Sequence, residues 1–314
     1  MKNIPQSELD AIIQSIRDHP EYCDPEYIIS AYRSHGLKVF PDPFSAEIVT
    51  LINQALLANQ GLSVVRIGDG EINLISYGAY VNTPNLDDNV VQAILGMQQD
   101  AFEGDRLWML ILRDLMIGAV AQADVVGVIG LWRPRPINAE QLVQLFLHDY
   151  RGISGQWRAM DYLLRLAAQG AFDHKILTSA HLYFSLLEHL DLILPLARKI
   201  FIISDRERIM DKFKHKYPKV DFEFIPVGKP AASSQTPRDK PDFLEAVFSS
   251  LPADLRGSLC LIGAGPWAEI YCGWVKQRGG VGVDLGTGFD LLDGEATRPI
   301  HTLLGLEQVR KYAL

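Results

Sequence analysis

Seven short apolar runs recur along the chain, and most are followed by a turn and then by a stretch of helical periodicity; this alternation constrains the fold more than any other feature. The runs are Leu62–Ile67, Asp124–Gly130, Lys175–Thr178, Lys199–Ser204, Val220–Pro226, Leu259–Gly263 and Val281–Leu285. Helical patterns lie between them at Ala180–Leu194, Arg206–Tyr217 and Phe243–Ser250. Parallel strands need long crossovers, and helices supply them, so the pattern predicts an α/β, Rossmann-like protein with a mostly parallel sheet wrapped by helices.

Ahead of these units, residues 1–60 read as a helical leader. Ser7 is placed to cap a helix reaching Asp18, and further helical segments span Tyr27–Ser34 and Phe44–Asn59. Residues 61–314 then read as one Rossmann-type domain, closing in a helix over Leu303–Tyr312. The proline-rich segment Gly228–Pro241 reads as an irregular loop, either a surface connection or a lid.

Composition excludes several classes of function. Thirty basic and thirty-eight acidic residues leave a net charge of −8, which disfavours nucleic acid and anionic bilayers as partners. The three cysteines, Cys23, Cys260 and Cys272, are too few and too scattered for a disulfide framework or a four-ligand zinc site. Charges interrupt both long apolar stretches, so no integral membrane segment is expected. The N-terminus has no apolar core of the secretory type, and the expected location is cytoplasmic.

In open parallel sheets ligands bind outside the carboxyl ends of the strands, so residues just after each strand carry the chemistry. These include Gly68-Asp69-Gly70-Glu71, Trp132-Arg133, Ser179-Ala180-His181, Ser204-Asp205, Gly263-Ala264-Gly265 and Asp284. Asp69 and Glu71 lie two apart in a turn that Gly68 and Gly70 permit to be tight. Two such carboxylates suit Mn2+ or Mg2+, hard ions that take one or two carboxylates together with phosphate oxygens. Arg66 is placed either to hold a phosphate in a bidentate contact or to pair with the acids.

The segment from Ser258 to Gly286 reads as a complete strand, glycine loop, helix and strand. Gly263, Gly265 and Ala268 fit the spacing of a dinucleotide fingerprint, and Asp284 ends the next strand, where such enzymes hold a ribose. Pro266 and Trp267 make this loop bulky. Two readings follow from this loop: an NAD- or S-adenosylmethionine-dependent enzyme using Gly263 and Gly265, and a non-catalytic nucleotide-binding module.

The run RIGDGE, Arg66 to Glu71, resembles the strand end of the GT-D-fold glycosyltransferases, with Ile67 where that family carries an aromatic residue. Ile262–Pro266 is similar to the family's Leu-Gly-Pro loop, and Val283–Gly286 to its Asp-Ile-Gly strand end. The resemblance spans about Leu62 to Gly288. It implies a glycosyltransferase that moves a sugar from a nucleotide-sugar donor, a UDP-sugar foremost, to a glycan, lipid-linked or protein acceptor. It implies further that Asp69 and Glu71 hold the metal, with Arg66 beside them in catalysis, and that Gly68, Gly70, Gly263, Gly265 and Asp284 bind the nucleotide. The acceptor's general base would be Asp205, His181 or a motif acid.

Overall fold

A computed structural model describes residues 4–80, 82–95, 106–227, 241–305 and 310–314. Its eight strands are β1 (Lys38–Phe40), β2 (Leu62–Ile67), β3 (Val125–Val128), β4 (Ile176–Ser179), β5 (Lys199–Ser204), β6 (Phe222–Pro226), β7 (Ser258–Gly263) and β8 (Val281–Asp284). They form one sheet in the order β1-β4-β3-β2-β8-β7-β5-β6, and every described pair is parallel. The protein is therefore α/β and Rossmann-like, as the alternation predicts.

The N-terminal helices are α1 (Gln6–Asp18), α2 (Pro25–Ser34), α3 (Glu47–Leu57), α4 (Asp69–Ile75) and α5 (Pro84–Leu95). There follow α6 (Arg106–Gln122), α7 (Ala139–His148), α8 (Tyr150–Ala168), α9 (Tyr183–Glu188) and α10 (Leu190–Ile193). The last five are α11 (Arg208–Lys216), α12 (Pro241–Ser250), α13 (Ala268–Gln277), α14 (Gly288–Leu292) and α15 (Pro299–Leu304). Among the described residues, no helix is long and apolar enough to cross a membrane.

Because side chains alternate along a strand, each buried strand feeds two cores. Val65, Ile67, Val126, Phe201, Ile203 and Ile262 face one side, where α2, α4, α6, α8, α12 and α13 cover them. Val64, Val125, Ile200, Ile202, Leu261 and Val283 face the other, under α3, α9, α10, α11 and α14. A smaller cluster joins α1, α5, α7 and α8 around Phe146 and Trp157.

Three local expectations change. The leader is not wholly helical: Lys38–Phe40 pairs with β4 as the edge strand β1, too short for its alternation to register. The first helix begins at Gln6, after Pro5, and Ser7 lies inside it. The helix expected over Ala180–Leu194 starts only at Tyr183 and breaks at His189, whose ring meets the Ser185 carbonyl oxygen at 2.7 Å. A helix over Pro299–Leu304 stops at Gly305, whose φ of 91° favours glycine; of the closing helix expected over Leu303–Tyr312, residues 306–309 lie outside the described residues. The Gly228–Pro241 loop lies, up to residue 240, outside the described residues.

The order of the strands places the site. β2 and β8 are neighbours at the middle of the sheet. The chain leaves β2 into α4 on one face and leaves β8 into α14 on the other. Where connections diverge in this way a crevice opens at the carboxyl ends of the two strands.

Candidate functional site

Arg66 and Asp284 stand on either side of that crevice, at the ends of β2 and β8. Arg66 Nε donates to Asp284 Oδ2 at 2.9 Å and Nη2 to Oδ1 at 3.3 Å, a bidentate pair. Arg66 Nη1 donates to the Ala180 carbonyl at 3.3 Å, and the guanidinium lies 5.3 Å from the centre of the Tyr183 ring. The two side chains are only 14% and 3% exposed, so the pair is inaccessible to most solvent. Gly286 makes room for it. Its φ of 46° is left-handed, and a Cβ there would collide with the guanidinium.

Glu71 turns back rather than outward. Its Oε2 accepts the Gly68 N–H at 2.9 Å, and this bond caps α4. Gly68 is extended and Gly70 lies in the first helical turn, so neither has a left-handed φ; the helix starts at Asp69 without an intervening loop. Asp69 is exposed in that first turn. The pair of acids is thus split between a solvent-facing Asp69 and a half-buried Glu71.

Glu269, in the first turn of α13, completes the cluster. It is fully buried, and neither of its carboxyl oxygens has a hydrogen-bond partner. Sequence reasoning passed over it, since an acid in a first helical turn is ordinary there and only tertiary packing buries it.

Three carboxyl groups therefore share one guanidinium. Burial pushes the Glu71 carboxyl up to about 7, with the Asp284 charge adding to the rise. Burial likewise raises Glu269 well above the carboxylate range, helped by Glu71 and Asp284. Asp284 is raised by burial and partly restrained by Arg66. Burial alone would lower Arg66, but Asp284 and Glu71 more than offset it and hold the guanidinium charged.

The crevice is short of positive charge, and its oxygen donors suit a hard divalent cation. Among the described residues no three His, Cys, Asp or Glu side chains converge to hold a metal by themselves. An ion of the magnesium type takes one or two carboxylates and leaves its remaining positions to phosphate and water. The unpartnered Glu269 carboxyl and the raised Glu71 are the observations by which such an ion fits.

Behind the site, a buried chain fixes α4. Arg158 Nη1 donates to Asp87 at 3.0 Å, and Nη2 donates to Asn73 at 3.1 Å. Asn73 in turn donates to the Asp69 carbonyl. Arg158 sits mid-helix in α8 and carries no sequence signal of this role.

His181 stands beside the crevice, its ring edge-on to Trp132 and Tyr183. Burial, then the Arg66 and His301 charges, lowers its pKa to about 4. The ring is neutral at physiological pH, and a group so weakly basic is a poor proton acceptor there. Asp205 follows β5, two strands from β8.

The glycine loop is not open. Gly263 lies against the Phe289 ring, which would clash with any Cβ, and Pro266 and Trp267 are buried. Gly265, with a φ of 57°, starts a short 3-10 turn leading into α13. Asp284, expected to meet a ribose, has both carboxyl oxygens on Arg66.

A family described as the GT-D fold-like domain matches residues 44–292, about four-fifths of the chain. The match begins at Phe44, ahead of Leu62, and so takes in α3. No curated protein and no solved structure matches the chain.

Proposed function

Because the chain belongs to the GT-D-like family, we propose that it is a glycosyltransferase moving a sugar from a nucleotide-diphosphate sugar to an acceptor hydroxyl. The donor is a UDP-sugar, and the acceptor a glycan, lipid-linked or protein hydroxyl. The observation that carries the reading is the carboxyl-rich crevice between β2 and β8, where Arg66 is, among the described residues, the one cation facing Glu71, Glu269 and Asp284.

Asp69 and Glu71 would hold Mn2+ or Mg2+, with the donor's diphosphate as the remaining ligand. When bound, the ion supplies Lewis-acid stabilisation of the charge that gathers on the departing diphosphate. The rest falls to the chain. Arg66 is committed to Asp284 and keeps the crevice walls in register; the Gly68 N–H orients Glu71; the Arg158–Asn73 chain holds Asp69 in place. Bare carboxylates would repel a diphosphate, so binding of donor and metal must be coupled.

Thermal unfolding with and without metal tests this. UDP or a UDP-sugar at about a hundred times its dissociation constant should stabilise by about 2.7 kcal/mol. At roughly 2 °C per kcal/mol for a chain of this size, the rise is several degrees and requires Mn2+ or Mg2+. Release of UDP from the stabilising sugar nucleotide in the presence of an acceptor then reports transfer. If NAD or S-adenosylmethionine stabilises the protein without metal and no sugar nucleotide does, the transferase reading fails.

A further inference from the structure

The loop after β3 carries Trp132 and Arg133, a pair at a strand's carboxyl end that the donor chemistry leaves unused. Arg133 is half-buried and, among the described residues, meets no carboxylate. Its hydrogen bond is to Met160 Sδ at 3.7 Å, a weak acceptor. It lines a cavity of about 410 Å³ whose other walls include Pro20, Cys23, Pro25, Ile137 and Ala139. That volume lies within the range of small-molecule sites, and the walls are mostly apolar.

Two further polar side chains line the cavity, and both are engaged. Asp24 accepts the Glu26 N–H at 3.0 Å and caps α2. Asn138 accepts the Gln141 N–H at 2.9 Å and caps α7. The guanidinium is the one cation among the lining residues and, among the described residues, pairs with no carboxylate; the Asp24 carboxylate, the cavity's other charge, is held by the helix N–H it caps. Burial lowers its pKa, and the one neighbour acting against this is the Cys23 thiol. Withdrawing a cation from water without a partner is costly, and an anionic ligand removes that cost.

We propose that this cavity binds an amphipathic anion, with a phosphate or carboxylate on Arg133 and an apolar chain along the proline, isoleucine and alanine walls. The loop also reaches the crevice of Arg66. The Trp132 ring lies 5.8 Å from that of His181 and 5.9 Å from that of Phe44. The cavity is thereby placed to anchor the acceptor, a role that rests on the transferase reading; the binding itself does not.

Calorimetric titration of the full chain, without nucleotide or metal, tests the proposal with n-octyl phosphate, octanoate, inorganic phosphate and octanol. Octyl phosphate or octanoate should bind saturably, at least about tenfold more tightly than inorganic phosphate or octanol. Arg133→Gln should weaken that binding by at least about tenfold, as expected for loss of a charge-assisted hydrogen bond. Ala139→Trp, which leaves Arg133 in place and fills the cavity, should weaken it as well and serves if the first variant does not fold. The stronger of the two anions identifies the headgroup. Octanol binding as tightly as octyl phosphate, wild-type affinity in a folded variant, or no saturable binding of either anion overturns the proposal. Intact anion binding in a protein that turns over no sugar nucleotide would count against the transferase reading alone.

Discussion

Replacing Glu71 by Gln isolates the electrostatics of the crevice. The wild-type carboxyl has a folded pKa of about 7 against an ordinary 4.5, raised by burial and then by Asp284. Since the folded value is the higher one, folding favours the protonated acid. Its contribution is fully present below about pH 4.5 and is lost as the pH rises through 7. A displacement of this size corresponds to at most about 3 kcal/mol. Asp284 and Glu269 share the protons, so about 1–3 kcal/mol should separate pH 5 from pH 8.5. Gln keeps an oxygen for the Gly68 N–H, so the helix cap survives while the ionisation is removed. The two proteins should therefore melt alike at pH 5. At pH 8.5 the variant should melt higher by roughly 2–6 °C, taking about 2 °C per kcal/mol. The assay is calorimetric melting with EDTA present, no nucleotide, and matched ionic strength. A variant that melts below wild type at pH 8.5, or a difference that does not grow between the two pH values, refutes the reasoning.

Other variants probe the same geometry. Arg66→Met leaves three carboxyl groups without their cation and should cost about 3–5 kcal/mol, read from the urea midpoint; an unchanged midpoint would mean the acids are already neutral. Asp284→Asn breaks the bidentate pair, and a loss of about 1–3 kcal/mol is the expected outcome, measured the same way. Gly286→Ala should cost about 1–3 kcal/mol through its left-handed φ and its collision with Arg66. In the Arg66→Met background part of that cost should vanish, and strict additivity in the double-mutant cycle would show that the two positions do not touch.

The central frame was legible because each strand carried its own evidence. Buried parallel strands are continuous apolar runs, and all seven that the pattern marks are present, with ends shifted by no more than a few residues. The eighth, Lys38–Phe40, has three residues and gains its identity only from the β4 edge it covers. The same division runs through the site. Arg66, Glu71 and Asp284 were visible because strand ends in an open α/β sheet are where ligands bind. That Arg66 would close on Asp284 was not visible, because which strands are neighbours is a property of the whole sheet. Glu269 and Arg158 lie within helices, and only burial distinguishes them from solvated charges.

The β2–β8 pairing also sets an order of assembly. Arg66 and Asp284 are 218 residues apart, and the strands that carry them lie side by side at the centre of the sheet. At the usual 5–20 residues per second of synthesis, the ribosome needs roughly 10–40 s after making β2 to deliver its neighbour. During that interval β2 has an open edge, and Arg66 has no Asp284. The halves on either side can condense in the meantime, but they join only when β8 slots between β2 and β7. A chain released before residue 284 keeps an unpaired central strand, the kind of surface that draws chaperones and seeds aggregation. The ion pair at the crevice is in this sense a late event of synthesis: no product that ends before residue 284 can form it.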